Sequence, residues 1–135
     1  MRVIFLVLGV VNAANGLWML LLPQGWYQDL PAGVPDTGPL NTHFVRDLGG
    51  AFLTIGIALL VASSRPAMRR PVLVFSALFY VLHAAIHVRD LIAGQLDADH
   101  WLIDLPGVFL PAAIMVLLCL PRFWSEEGVP PPRPA

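Results

Sequence analysis

Four apolar segments, each about as long as the hydrocarbon core of a bilayer is thick, constrain this chain more than any other feature. About 20 consecutive apolar residues carry an α-helix across ~30 Å of hydrocarbon. Residues 3–22, 43–64, 71–92 and 100–120 all meet that requirement. Lipid offers the peptide group no partner, so such segments must satisfy their backbones internally, as helices do. The predicted fold is an all-α membrane protein, an antiparallel four-helix transmembrane bundle over residues 1–124. A disordered, Pro-rich cytoplasmic tail is expected at 125–135.

Composition agrees. The chain is 57% hydrophobic and only 13% charged, with a mean hydropathy of +0.71. Soluble domains carry about 25% charged residues, and a domain this small buries too little surface to hide the excess. The lipid bilayer is therefore the expected solvent. A net charge of -1 argues against a nucleic-acid partner, which calls for a basic face to neutralise phosphates. Cys119 is the single cysteine, which excludes an intramolecular disulfide and a cysteine-based metal cluster.

Local signals set the expected boundaries. Pro23 stops the first span, Asn41 or Thr42 caps the second, Gly94 ends the third, and Asp99 and Pro121 bracket the fourth. Pro106 and Pro111 should bend the fourth helix, because each removes an N–H and crowds the preceding turn. The connection holding Pro23, Pro31, Pro35 and Pro39 is too proline-rich for a helix throughout, and Trp26 and Tyr27 suit an interfacial anchor. Arg2 followed by an apolar run has some features of a cleaved signal. The run continues past Asn12 to Leu22, so a retained helix is expected.

Arginine placement gives orientation. Arg2, Arg65, Arg69, Arg70, Arg122 and Arg133 fall on one side of the predicted bundle, against Arg46 and Arg89 on the other. The positive-inside rule then places both termini in the cytoplasm and the chain, multi-pass, in the inner (cytoplasmic) membrane.

Every histidine and aspartate falls at the opposite, outward-facing end. His43 and Asp47 share a face of the second helix, and His83, His87 and Asp90 share a face of the third. Asn12 and Asn15 come from the first helix, His100 and Asp104 from the fourth. Intramembrane ionisable groups are expensive and usually face the bundle interior. Asn15, His43, Asp47, His83, His87, Asp90 and Asp104 are thus the candidate ligand-binding residues.

Several chemistries fit that set. His83 and His87 at i and i+4, completed by His43 and Asp47, could bind a transition metal with an open coordination position. A haem between His43 and His83 or His87, with room from Gly49 and Gly50, is a second option. A third is a quinone, with a histidine donating to its carbonyl, an aspartate relaying protons and Phe79, Tyr80 and Trp101 as walls. Structural roles compete. Arg46-Asp47 and Arg89-Asp90 could form a four-charge latch between antiparallel helices, and Asn12 and Asn15 could bond across to a neighbouring helix. Asp99 is expected to cap the last helix.

The runs Asn41-Thr42-His43-Phe44-Val45-Arg46-Asp47-Leu48-Gly49-Gly50 and Leu82-His83-Ala84-Ala85-Ile86-His87-Val88-Arg89-Asp90-Leu91, with the four-span layout, resemble small bacterial inner-membrane proteins of uncharacterised type, loosely DoxX-like. The resemblance spans roughly residues 1–121. It implies a four-helix membrane fold and, for some members of that group, quinone or thiosulfate redox chemistry; it transfers no catalytic residue.

The leading expectation is an accessory or ligand-binding membrane protein whose outward pocket holds a metal, quinone or other small ligand. The alternatives are a redox or metal-dependent membrane enzyme using that pocket, and a structural subunit whose polar groups only lock the helices. The last would dock a membrane-protein partner or a second copy of itself.

Overall fold

The computed structural model describes residues 1–124; the expected tail at 125–135 lies outside the described residues. Helix α1 spans Arg2–Leu21, α2 Pro23–Asp29, α3 Thr42–Ser64, α4 Pro66–Ile92, α5 His100–Ile103 and α6 Leu110–Leu118. No strand occurs among the described residues. Three helices, α1, α3 and α4, are long and apolar enough to cross a membrane, with mean hydropathies of 2.0, 1.8 and 1.9. Only 28%, 22% and 22% of those apolar stretches are covered by the rest of the protein. The remainder, including Val7, Phe75, Leu82 and Ile86, is exposed. Water would penalise that surface by about 25 cal/mol per Å²; lipid would not.

Two prolines act differently from expectation. Pro23 does not hand the chain to a loop: it opens α2 after a single-residue break at Leu22. Pro66 likewise opens α4, which therefore begins ahead of the expected start at 71 and carries Pro71 inside it. Both follow from proline's preset φ, which suits the first helical position, where the missing N–H is not needed.

The fourth apolar segment departs furthest from a continuous 100–120 span. One turn of α5 leads into a wide turn at Leu105–Phe109, and α6 follows. The apolar helical stretch runs Leu105–Leu118. Pro106 and Pro111 cannot donate to the preceding turn. The Asp104 carbonyl accepts from the Val108 N–H at 2.8 Å and also from Phe109 at 3.2 Å. The second bond, five residues on, defines a π-type turn.

Small residues set the packing of α1 on α3, which run antiparallel. A Cβ on Gly16 would lie 2.5 Å from the Leu53 nitrogen and 2.6 Å from the Gly49 carbonyl oxygen, and one on Gly56 would lie 2.5 Å from the Ala13 nitrogen. The two backbones touch, as membrane helices do where small residues face each other. Phe5, Met19, Leu59, Leu73 and Met115 are completely buried between the helices.

Both ends of α3 and the C-terminal end of α4 are satisfied. Asn41 caps α3 by accepting from the Phe44 N–H at 3.1 Å. Arg69 donates to the Ala62 and Ser63 carbonyls at the far end of α3. At the end of α4, Gly94 takes φ 68°; its N–H reaches Leu91, and Gln95 reaches Asp90 at 2.9 Å, the paired bonds of a Schellman stop. Asp99 precedes α5 as expected, yet its side chain makes no capping bond.

Candidate functional site

The end of the bundle where α4 finishes and α5 begins holds a line of histidines and carboxylates. Its centre is Asp104, at the junction of α5 and the wide turn, with only 1% of its surface exposed. As a carboxylate it can only accept. His87 on α4 meets one of its oxygens from Nδ1 at 2.8 Å. His100, one turn earlier on α5, faces the other oxygen from Nδ1 at 3.5 Å. The His100 Nε2 meets Asp36 at 3.2 Å. Asp36 sits in a short 3₁₀ turn, Val34–Thr37, within the proline-rich connection.

Gly33 makes that docking feasible. Its φ of 55° lies in the left-handed region, and a Cβ there would sit 2.9 Å from His100 Cε1. Any side chain would push the imidazole off the turn.

His100 lies ahead of the apolar stretch Leu105–Leu118, in this polar line. Burial disfavours its charged form, but hydrogen bonds to Asp36 and Asp104 and the negative charge of both outweigh that. Its pKa is held above the usual 6.5. An imidazolium between two carboxylates leaves no uncompensated buried charge.

On the other side of His87 the line reaches His83. The two rings meet edge-on with centroids 4.8 Å apart, and His83 stacks on Phe79. No hydrogen-bond partner for His83 occurs among the described residues. It lines a chamber of ≈ 350 Å³ whose walls include Leu48, Phe52, Ile103 and Val108 and whose polar groups are Asn12, Asn15, Trp26, Tyr80 and His83. Asn12 accepts from the Tyr80 hydroxyl at 2.8 Å and Asn15 from the Trp26 indole at 2.9 Å. Both asparagines thus tie α1 to other elements while bordering the chamber. Trp26 is buried in that contact rather than anchored at an interface.

The remaining candidates fall elsewhere. His43 and Asp47 pair with each other at 3.3 Å and stay 86% and 65% exposed. They do not join His83 and His87, and among the described residues no group of three or more His, Cys, Asp or Glu is arranged to hold a metal. Helix rotation is the reason: α3 turns Gly49 and Phe52 inward, which leaves His43 facing out. Gly49 gives no room for a macrocycle either, since its Cα face is closed by Met19 and Gly16.

The four-charge latch does not form. Arg46 donates to the Leu20 carbonyl, whereas Arg89 binds Asp90 at 2.6 Å and Gln95 at 2.7 Å. Trp101 stacks on Phe109, 47% exposed, and lines no wall of the chamber. The residue that sequence reasoning missed is Asp36. A turn at Gly33-Val34-Pro35-Asp36 is legible from its residue types, but where the turn docks is not.

A family model described as a domain of unknown function, DUF4345, matches residues 1–89. That stretch covers α1 to most of α4, including His83 and His87, and stops before Asp104. No curated protein and no solved structure matches the chain. Nothing in these comparisons links it to the DoxX-like group.

Proposed function

The chain belongs to the DUF4345 family, and from that premise we propose an inner-membrane, multi-pass protein that binds a lipid-soluble small molecule with an oxygen-bearing head. In this reading Leu105–Leu118 makes a fourth crossing, and the arginine distribution favours both termini in the cytoplasm. The chamber then opens in the outward half of the bundle. Its role is accessory or ligand-holding; no nucleophile or metal set among the described residues supports a named reaction.

The observation that carries the proposal is His83. The buried polar groups of this end, Asn12, His100 and Asp104, satisfy their neighbours, as residues that merely lock helices would. Partly buried His83 has no such partner among the described residues and faces a mostly apolar chamber of a size small ligands occupy. A ring nitrogen there can hydrogen-bond a carbonyl or hydroxyl, while Phe52 and Leu48 cover an aromatic body.

The test is decylubiquinone titrated into nanodisc-embedded protein, with Trp18, Trp101 and Trp124 replaced by Phe so that Trp26 reports alone. Saturable quenching is expected, weakened at least tenfold by His83→Leu at unchanged melting temperature. Linear, unsaturable quenching equal in the two proteins means partition into lipid only and removes the reading.

A further inference from the structure

We propose that the groove between α3 and α4 binds one anionic phospholipid, an acyl chain lying along the groove and the phosphate held at Arg65. The site shares no lining residue with the chamber at His83 and does not depend on what that chamber holds.

The groove has a volume of ≈ 550 Å³, between Ala51, Thr54 and Ala58 on α3 and Met68, Val72 and Phe79 on α4. Its lining selects hydrocarbon. No lining residue carries a charge, and the hydroxyls of Thr54 and Ser76 turn back on their own helices. They donate to the Gly50 and Val72 carbonyls, each at 2.8 Å. No side-chain N–H or O–H is left to hold a polar ligand. The groove is open on its outer side, where Phe75 is 74% exposed.

Length fixes which part of a lipid fits. Along α4 the groove reaches from Met68 to Phe79, about 16 Å at a helical rise of ~1.5 Å per residue. One leaflet's share of the hydrocarbon is about 15 Å. The groove therefore matches the depth of a single leaflet. It begins within one turn of Arg65, the corner residue that ends α3 and starts α4.

Charge selects the head. Arg65 is exposed, and its side chain has no hydrogen-bond or ion-pair partner among the described residues. Arg2, Arg69, Arg70 and Arg122 share that end of the bundle, and none of the described residues there is a carboxylate. Arg69 is committed to the Ala62 and Ser63 carbonyls, which leaves Arg65 at the mouth of the groove. A guanidinium binds phosphate through paired N–H···O bonds, and basic pockets between helices at a membrane face take anionic headgroups.

A second copy of the chain is the other apolar body that could cover the groove. Oriented alike in the membrane, it brings its own arginines to the same depth, and like charges set against each other oppose docking. An anionic lipid neutralises them instead.

The test is native mass spectrometry of the full chain released from nanodiscs of phosphatidylglycerol and phosphatidylcholine in equal parts, with identical acyl chains. Wild-type protein is expected to retain one phosphatidylglycerol, preferred over phosphatidylcholine about fivefold, and Arg65→Gln should erase that preference. Ala58→Phe fills the groove and should lose both lipids at unchanged melting temperature. Val10→Phe, which adds similar bulk on the exposed side of α1, should match wild type. Equal retention of the two lipids by wild type, a preference that survives Arg65→Gln, or retention in Ala58→Phe equal to that in Val10→Phe overturns the site. So does a two-chain species that Ala58→Phe alone dissolves, which assigns the groove to a second copy. Each of these results leaves the reading of the His83 chamber standing.

Discussion

Asp104 and His87 stand 17 residues apart in the chain and 2.8 Å apart in space. Their contact joins α4 to the broken fourth segment, and it is buried at Asp104 and nearly so at His87. A buried carboxylate held by imidazoles is tolerated only while those partners remain.

Truncating Asp104→Ala strips that contact and leaves His87 and His100 facing a void. Breaking a buried charged pair by removing one partner costs about 3–5 kcal/mol. Asp47→Ala, at an exposed pair, should leave the melting temperature nearly unchanged. Thermal unfolding of the two variants in nanodiscs checks this; coincident midpoints contradict it.

The His100 environment predicts a pH dependence. A pKa above 6.5 in the folded protein means that the folded state holds this proton more tightly than the unfolded chain. The resulting stability is present in full below the unfolded value and is lost as pH rises through the raised folded value. Wild-type protein should therefore lose melting temperature relative to His100→Gln as pH is raised from about 6 to 9. A constant difference between the two proteins across that range speaks against it.

The contact of α1 with α3 predicts opposite responses to two glycine substitutions. Gly16→Ala drives a Cβ to within 2.5 Å of α3 backbone, and such overpacking typically costs about 1–3 kcal/mol. Gly50→Ala meets nothing within 4 Å and should stabilise α3 by up to about 1 kcal/mol through helix propensity. Unfolding midpoints that move the same way in both variants would show the helices packed differently.

The proposed orientation is checked by cysteine labelling in a Cys119→Ser background. Thr37→Cys and Asp97→Cys should react with a membrane-impermeant maleimide on intact spheroplasts, and Arg65→Cys only after lysis. Labelling of Arg65→Cys without lysis reverses the orientation.

The spans were legible because hydropathy averages over many residues, and caps such as Asn41 and Gly94 because they act within one turn. What joins His87 to Asp104 rather than to Asp47 is the rotation of each helix about its axis. For α1 and α3 that rotation follows from where Gly16, Gly49 and Gly56 let the backbones meet. His43 and His83 each have a polar neighbour four residues on, so spacing alone cannot tell the exposed pair from the partly buried one. Asp36 was hidden for a different reason: a loop's return path depends on the surface it lands on, here His100 against Gly33.

The wide turn at Leu105–Phe109 bears on how such a site could arise. His100, Asp104, Val108 and Ala112 are all buried at successive steps of four, and a regular helix advances about 100° per residue, so each step drifts about 40° sideways. The wide turn absorbs that drift because it holds one residue more than a regular turn needs. Deleting Gly107 should close it and swing Asp104 about 100° around the axis relative to α6. The expected protein would insert but lose the contact of Asp104 with His87, and its melting temperature should fall at least as far as that of Asp104→Ala. A single residue gained or lost in that turn, touching none of the polar side chains, thus decides whether Asp104 faces His87 and His100 or turns away from both.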